Sequence, residues 1–164
     1  MVKSNEVGSR QKDNLQGDSH KVEIYTDGAC SGNPGYGGWG AVLIYKGREK
    51  EISGSEANTT NQRMELRACI EALSAIKKDV SIFVYTDSAY LANCFKQEWY
   101  KKWMQNGWRN SHGQPVANQD LWEKLIELAL QYRVEFVKIK GHSGIKFNER
   151  ADKLARNEIR GDEL

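Results

Sequence analysis

A chain of 164 residues, 39% hydrophobic and 28% charged with only two prolines, fits one domain able to bury a core. It contains no apolar run near the ~18 residues a membrane span needs and opens on a polar stretch, so a cytoplasmic protein with no membrane partner is expected. Three cysteines without CxxC or Cys/His spacing exclude a disulfide framework and a zinc site, and the net charge of +2 demands no polyanionic partner.

Residues 1–20 are polar and aperiodic, which predicts a disordered tail. Residues 22–26 alternate as a strand, 39–45 read as a second and 49–53 as a weaker third. From Ser53 to Asn61 the chain is polar and is expected to be a loop. Met64, Ala68, Cys69, Ala72, Leu73 and Ile76 fall at helical spacing, with Thr60 or Asn61 as cap. Residues 80–86 form a buried strand by their Val/Ile/Phe/Tyr content. Short helices are predicted over 88–96 and 99–105, and turns at Asn106-Gly107 and His112-Gly113. Asp120 is expected to cap an amphipathic helix carrying Leu121, Leu125, Leu128 and Ala129. A last strand over 134–140, a Gly/His/Ser loop and a helix from 148 to about 159 follow, then a C-terminal tail at 161–164. Early strands joined by short turns and later ones separated by helices predict an α/β fold, a five-stranded mixed sheet flanked by helices.

One echo carries chemistry. Tyr25-Thr26-Asp27-Gly28-Ala29 and Tyr85-Thr86-Asp87-Ser88-Ala89 repeat Tyr-Thr-Asp-small-Ala, each after an apolar strand. An Asp where a strand ends serves a turn or a ligand. Two in matching contexts favour the ligand. Glu65 heads a helical stripe whose other members, Ala68, Cys69, Ala72 and Ile76, are apolar, and a charge there is costly to bury uncompensated. Asp152 lies beside the buried stripe of the last helix and by itself reads as a solvent-facing carboxylate. Carboxylates gathered together repel unless hard divalent cations stand between them. Oxygen-only ligands suit Mg²⁺ or Mn²⁺, and two such ions about 4 Å apart assist in-line phosphoryl displacement. Gly35-Tyr36-Gly37-Gly38-Trp39-Gly40 matches GxGxxG, but a strand and not a helix follows it, so these glycines read as a turn into a hairpin.

Five motifs resemble the type 1 ribonuclease H family, in its order: residues 27–35 from Asp27-Gly28-Ala29, then Thr60-Asn61-Gln62-Arg63-Met64-Glu65, Thr86-Asp87-Ser88, Gly141-His142-Ser143-Gly144 and Asn148-Glu149-Arg150-Ala151-Asp152. The resemblance spans about 21–160, which it implies is the catalytic domain, with a ribonuclease H-like fold. It implies a monomeric endoribonuclease that cuts the RNA of RNA–DNA hybrids with two Mg²⁺ ions, leaving 5′-phosphate and 3′-hydroxyl ends. Asp27, Glu65, Asp87 and Asp152 become metal ligands, and His142 assists proton transfer or product release. Asn33, Asn61 and Gln62 become minor-groove contacts, where 2′-hydroxyls are displayed. Thr60 and Asn118 hold a DNA-strand phosphate. Cations gather in the second half, at Lys96, Lys101, Lys102, Arg109, Lys138, Lys140 and Lys146. The segment with Trp99, Lys101, Lys102, Trp103 and Arg109 resembles the basic protrusion of bacterial members. Leu91, Phe95, Trp99 and Trp103 also repeat every four residues, so the tryptophans serve either substrate or core. Asn58, where some relatives carry Arg, and Ala89, in place of a common Gln, depart from the pattern. Two rivals remain: a non-catalytic nucleic-acid-binding module on this fold, and a DNA-cutting transposase-like domain.

Overall fold

A computed structural model describes residues 21–163, with side chains to residue 159; the tail expected over 1–20 lies outside the described residues. Five strands run β1 Lys21–Cys30, β2 Gly35–Tyr45, β3 Arg48–Thr59, β4 Ser81–Thr86 and β5 Arg133–Lys138. The helices are α1 Asn61–Ser74, α2 Ala89–Lys96, α3 Trp99–Asn106, α4 Gln119–Gln131 and α5 Lys146–Glu163. The sheet order is β3-β2-β1-β4-β5. The meander β1–β2–β3 is antiparallel, while β4 lies parallel to both β1 and β5, so the sheet is mixed as predicted.

Alternation along the strands divides the sheet into two faces. Val22, Ile24, Leu43, Ile82 and Val84 point into a core with Leu66, Ile70 and Leu73 of α1, Leu91 of α2 and Trp122 and Leu125 of α4. Helix α5 crosses the opposite face over β1, β2 and β3.

Four expectations change. The predicted loop from Ser53 is strand as far as Thr59: β3 is an edge strand, so polar side chains suffice on its open sides, and Ser53 Oγ donates to Glu158 of α5 at 2.6 Å. The glycines from 35 to 40 are strand too, not a turn. A Cβ at Gly40 would stand 2.6 Å from Leu154 Cβ, and at Gly38 it would collide with the Ala155 carbonyl, so their bareness lets α5 lie against β2. The cap of α4 is Asn118, not Asp120, which lies inside the first turn and pairs with Arg63 at 2.8 Å. Helix α5 runs to Glu163, beyond the boundary at 160 where a tail was expected.

Candidate active site

Strand register brings the echoed motifs side by side. Tyr25 pairs with Tyr85 across β1 and β4, their rings stack at 4.7 Å, and Thr26 and Thr86 are both fully buried. Asp27 and Asp87 therefore emerge as neighbours. Asp87 stands where β4 ends; Asp27 does not end β1, which continues against β2 to Cys30. After Asp87 the chain turns, with Ser88 donating its N–H to Thr86 Oγ1 at 3.0 Å and then capping α2 through Leu91 N–H.

Glu65 arrives from the first turn of α1, which Thr60 caps by accepting the Arg63 N–H at 3.2 Å. Gly28 lets that turn sit on β1, since a Cβ there would stand 2.5 Å from the Glu65 amide nitrogen. The outcome is one oxygen each from Asp27, Glu65 and Asp87, all within 4.8 Å of one another.

The electrostatics follow from this crowding. Asp27 and Glu65 are each 6% exposed. Burial pushes the Asp27 carboxyl up to about 8, with the charge of Asp87 and contact with Asp152 adding to it. Glu65 moves well above the carboxylate range for the same first reason, then through Asp27 and Asp87. Its Oε1 is buried with no hydrogen-bond partner. An oxygen left without a donor, in a cluster that resists ionising, is what a hard divalent cation satisfies. The residues present fit such an ion.

These groups line a cavity of about 460 Å³ that also takes in Asp152, Asn61, Gln62 and His142, and neither Lys nor Arg lines it. Asp152 reaches it from α5 while its carboxylate accepts from Arg156 at 2.9 Å on the outer side. His142 is exposed, on a loop whose approach depends on Gly141: a Cβ there would stand 2.6 Å from Asp87 Oδ2.

The remaining expected residues lie outside this cavity. Thr60 and Asn118 are linked through Arg63, whose guanidinium donates to Asn118 Oδ1 at 3.3 Å and holds Asp120, lowering that carboxyl to about 2. Asn33 is exposed in the β1–β2 connection. Trp99 and Trp103 are half-buried, and Trp103 packs 5.6 Å from Trp122 and 5.4 Å from Trp108, so packing accounts for their four-residue spacing. Lys101 pairs with Glu98 at 2.8 Å, and Lys102 and Arg109 are exposed. Sequence reasoning missed Arg63, and also Tyr90, which lines the cavity and whose hydroxyl accepts from Asn118 and from Trp122 Nε1 at 2.8 Å. Neither has a local pattern that marks it. The glycines at 28 and 141, each beside a motif Asp or His, did carry a signal.

The ribonuclease H family model matches residues 19–160. The chain belongs to the ribonuclease H family. The ribonuclease H of Syntrophomonas wolfei is 60% identical over 141 residues, 85% of this chain and 97% of that protein. The ribonuclease H of Caldanaerobacter subterraneus subsp. tengcongensis is 52% identical, covering 89% and 95%. Among solved structures, LC9-RNase H1, a type 1 RNase H with the type 2 active-site motif, superposes with a TM-score of 0.76 at 30% identity, over 86% of this chain and 72% of that one. LC11-RNase H1 in complex with an RNA/DNA hybrid gives 0.68 at 25% identity, over 87% and 99%. An enzyme of the ribonuclease H class follows from these relations, on a ribonuclease H fold. Among the described residues no helix is long and apolar enough to cross a membrane.

Proposed function

We propose that this ribonuclease H is a cytoplasmic, monomeric endonuclease that hydrolyses the RNA strand of RNA–DNA hybrids with two Mg²⁺ ions, Mn²⁺ substituting, and leaves 5′-phosphate and 3′-hydroxyl ends. The observation that carries this is the trio Asp27, Glu65 and Asp87, with oxygens within 4.8 Å and no cationic side chain lining their cavity. Those three and Asp152 would hold the ions. When bound, such ions supply Lewis-acid stabilisation of the charge that builds on a phosphodiester during in-line displacement.

The protein's own groups do the rest. Asn33, Asn61 and Gln62 offer amide donors and acceptors to consecutive 2′-hydroxyls in the minor groove, and these set the preference for RNA. Thr60 and Asn118, joined through Arg63, place a DNA-strand phosphate. Lys101, Lys102 and Arg109 contact the backbone, with Trp99 and Trp103 giving that segment a rigid frame. His142, on its exposed loop at the cavity, moves a proton beside the scissile phosphate.

The test is cleavage of an end-labelled hybrid, set against duplex DNA and single-stranded RNA, in Mg²⁺ and in chelator. We expect only the hybrid's RNA to be cut, only with the ion, and the downstream fragments to accept kinase label only after phosphatase treatment. Comparable cutting of duplex DNA would favour the transposase-like rival. Binding of hybrid without cleavage in either ion would leave a non-catalytic module.

A further inference from the structure

Of the four cleft carboxylates, Asp152 is the one least fixed by the sheet. Asp27 stands in β1 and Asp87 just beyond β4, while Glu65 rides a helical turn seated on Gly28. The oxygens of these three lie within 4.8 Å of one another, and Asp152 is not part of that trio. It reaches the cavity from α5 instead. The rotation of α5 is set by Ala151 and Ala155, both fully buried, the latter against Gly38 of β2. Asp152 and Arg156, each one position further on, therefore share the adjoining flank of the helix, one turn apart.

Arg156 uses that spacing. Its Nε and Nη2 both donate to Oδ2 of Asp152 at 2.9 Å, and Oδ1 takes neither. Helical side chains lean toward the N-terminus, so Arg156 lies over the turn that carries Asp152. Among the described residues Asp152 is the one of the four that a cation holds. We infer that Arg156 is a positioning residue for the metal site: by gripping Oδ2 it fixes the rotamer of Asp152 and turns Oδ1 toward the cavity as a ligand for a divalent cation. The inference rests on Asp152 being an ion ligand, as proposed above.

Two effects of this guanidinium oppose each other, and their balance gives the inference a sign. As a positive charge beside the cluster it repels an incoming divalent ion, so by charge alone its removal would tighten binding. As a grip it orders the carboxylate beforehand, so its removal would loosen binding. The Arg156 side chain is 50% exposed and that of Asp152 17%. Water therefore screens the charge over the distance to the cavity, but not the direct contact. The grip prevails. Partners that orient metal-ligating side chains commonly contribute about 10–100-fold in metal affinity, and a half-exposed one belongs at the lower end.

The experiment is calorimetric titration of Mn²⁺ into the chelator-stripped enzyme, with single-turnover cleavage of a hybrid over a Mg²⁺ series beside it. Arg156→Met should weaken Mn²⁺ binding about tenfold and raise the Mg²⁺ needed for half-maximal cleavage by a similar factor. At saturating Mg²⁺ its kcat, and its KM for hybrid, should stay within about twofold of the parent. Arg156→Lys, which keeps the charge and a donor, should recover part of the lost affinity. Arg150→Met removes a cation from the same helix without touching Asp152, and should not weaken Mn²⁺ binding. In an Asp152→Asn background Arg156→Met should add nothing, because it acts through that carboxylate. Unchanged or tighter Mn²⁺ binding by Arg156→Met would overturn the inference. So would an equal loss from Arg150→Met, or a loss that persists in the Asp152→Asn background. In each of those cases the parent still binds Mn²⁺ and the proposed metal site stands; a parent that binds no Mn²⁺ would overturn that site and this inference together.

Discussion

Helix α5 meets carboxylates at two places and treats them oppositely. On the β3 edge, Arg150 holds Glu49 at 2.7 Å and Glu51 at 2.5 Å, so each acid there has a cation. Two residues further on, Asp152 faces Asp27, in a cavity where no Lys or Arg answers three crowded acids. The first arrangement costs little and contributes little, since exposed pairs contribute about 0–1 kcal/mol. The second opposes folding, because burial and like charge both disfavour ionisation. On the function proposed above, the uncompensated carboxylates serve a ligand, and the contrast can be broken or sharpened by substitution.

The largest effect should come from Asp87→Asn. It keeps the shape and removes a charge from the trio, so cleavage in Mg²⁺ should fall about a thousandfold or more, several kcal/mol of transition-state stabilisation, while hybrid binding persists. Single-turnover cleavage with a parallel binding titration reads both; near-parental turnover would remove Asp87 from the machinery. Next is His142→Ala, expected to lower kcat by ~10²–10³ and leave the metal dependence intact. A pH series on one hybrid checks it. A loss confined to KM would recast His142 as a binding residue, and a kcat within about twofold of the parent would make it a bystander.

The third effect is on stability. Asp27 rises from its ordinary 3.8 to about 8 in the folded chain, and Glu65 moves the same way. Between those values the folded state keeps a proton that the unfolded state has lost, so metal-free stability falls as pH rises from about 4 to about 8. One proton sets a ceiling of about 1.4 kcal/mol per pH unit. Asp120, lowered to about 2, has the opposite sign but acts only as pH falls below about 4, so measurements above pH 5 isolate the cluster. Melting in chelator should be higher at pH 5.5 than at pH 8, with saturating Mg²⁺ removing most of the difference. A melting temperature that climbs with pH in chelator would show that the cluster is not strained.

Much of the fold and of the site is legible in the order of the amino acids. The Tyr-Thr-Asp echo locates two strands and their acids because parallel neighbours with equal register place equal motifs side by side. The stripe headed by Glu65 is legible because helical spacing is a local property. What escapes depends on contacts between distant segments. Residues 53–59 look like loop because an edge strand needs no apolar face, and the 35–40 glycines look like a turn until α5 is seen lying on Gly38 and Gly40. Arg63 is unreadable for the same reason: its partners Asn118 and Asp120 are more than fifty residues away.

The smallest effect tests the other half of the contrast. Arg150→Met removes the cation from Glu49 and Glu51 but keeps an apolar stem over Phe147, whose ring lies 5.4 Å from the guanidinium carbon. The two acids it leaves are partly exposed, at 39% and 44%, so water takes over much of their solvation. The loss should therefore stay within about 1 kcal/mol, with no dependence on divalent ions and no change in cleavage. Asp27→Asn, the matching removal of charge at the cluster, should do the reverse and raise metal-free stability at pH 8, because it takes one acid out of a repelling group. Urea unfolding of both variants in chelator at pH 8 puts the two regions on one scale. Opposite signs would establish that the edge pairs serve the fold and the central acids serve the ligand. A loss from both variants would mean that the central carboxylates are satisfied within the protein, and that the two regions do not differ in kind.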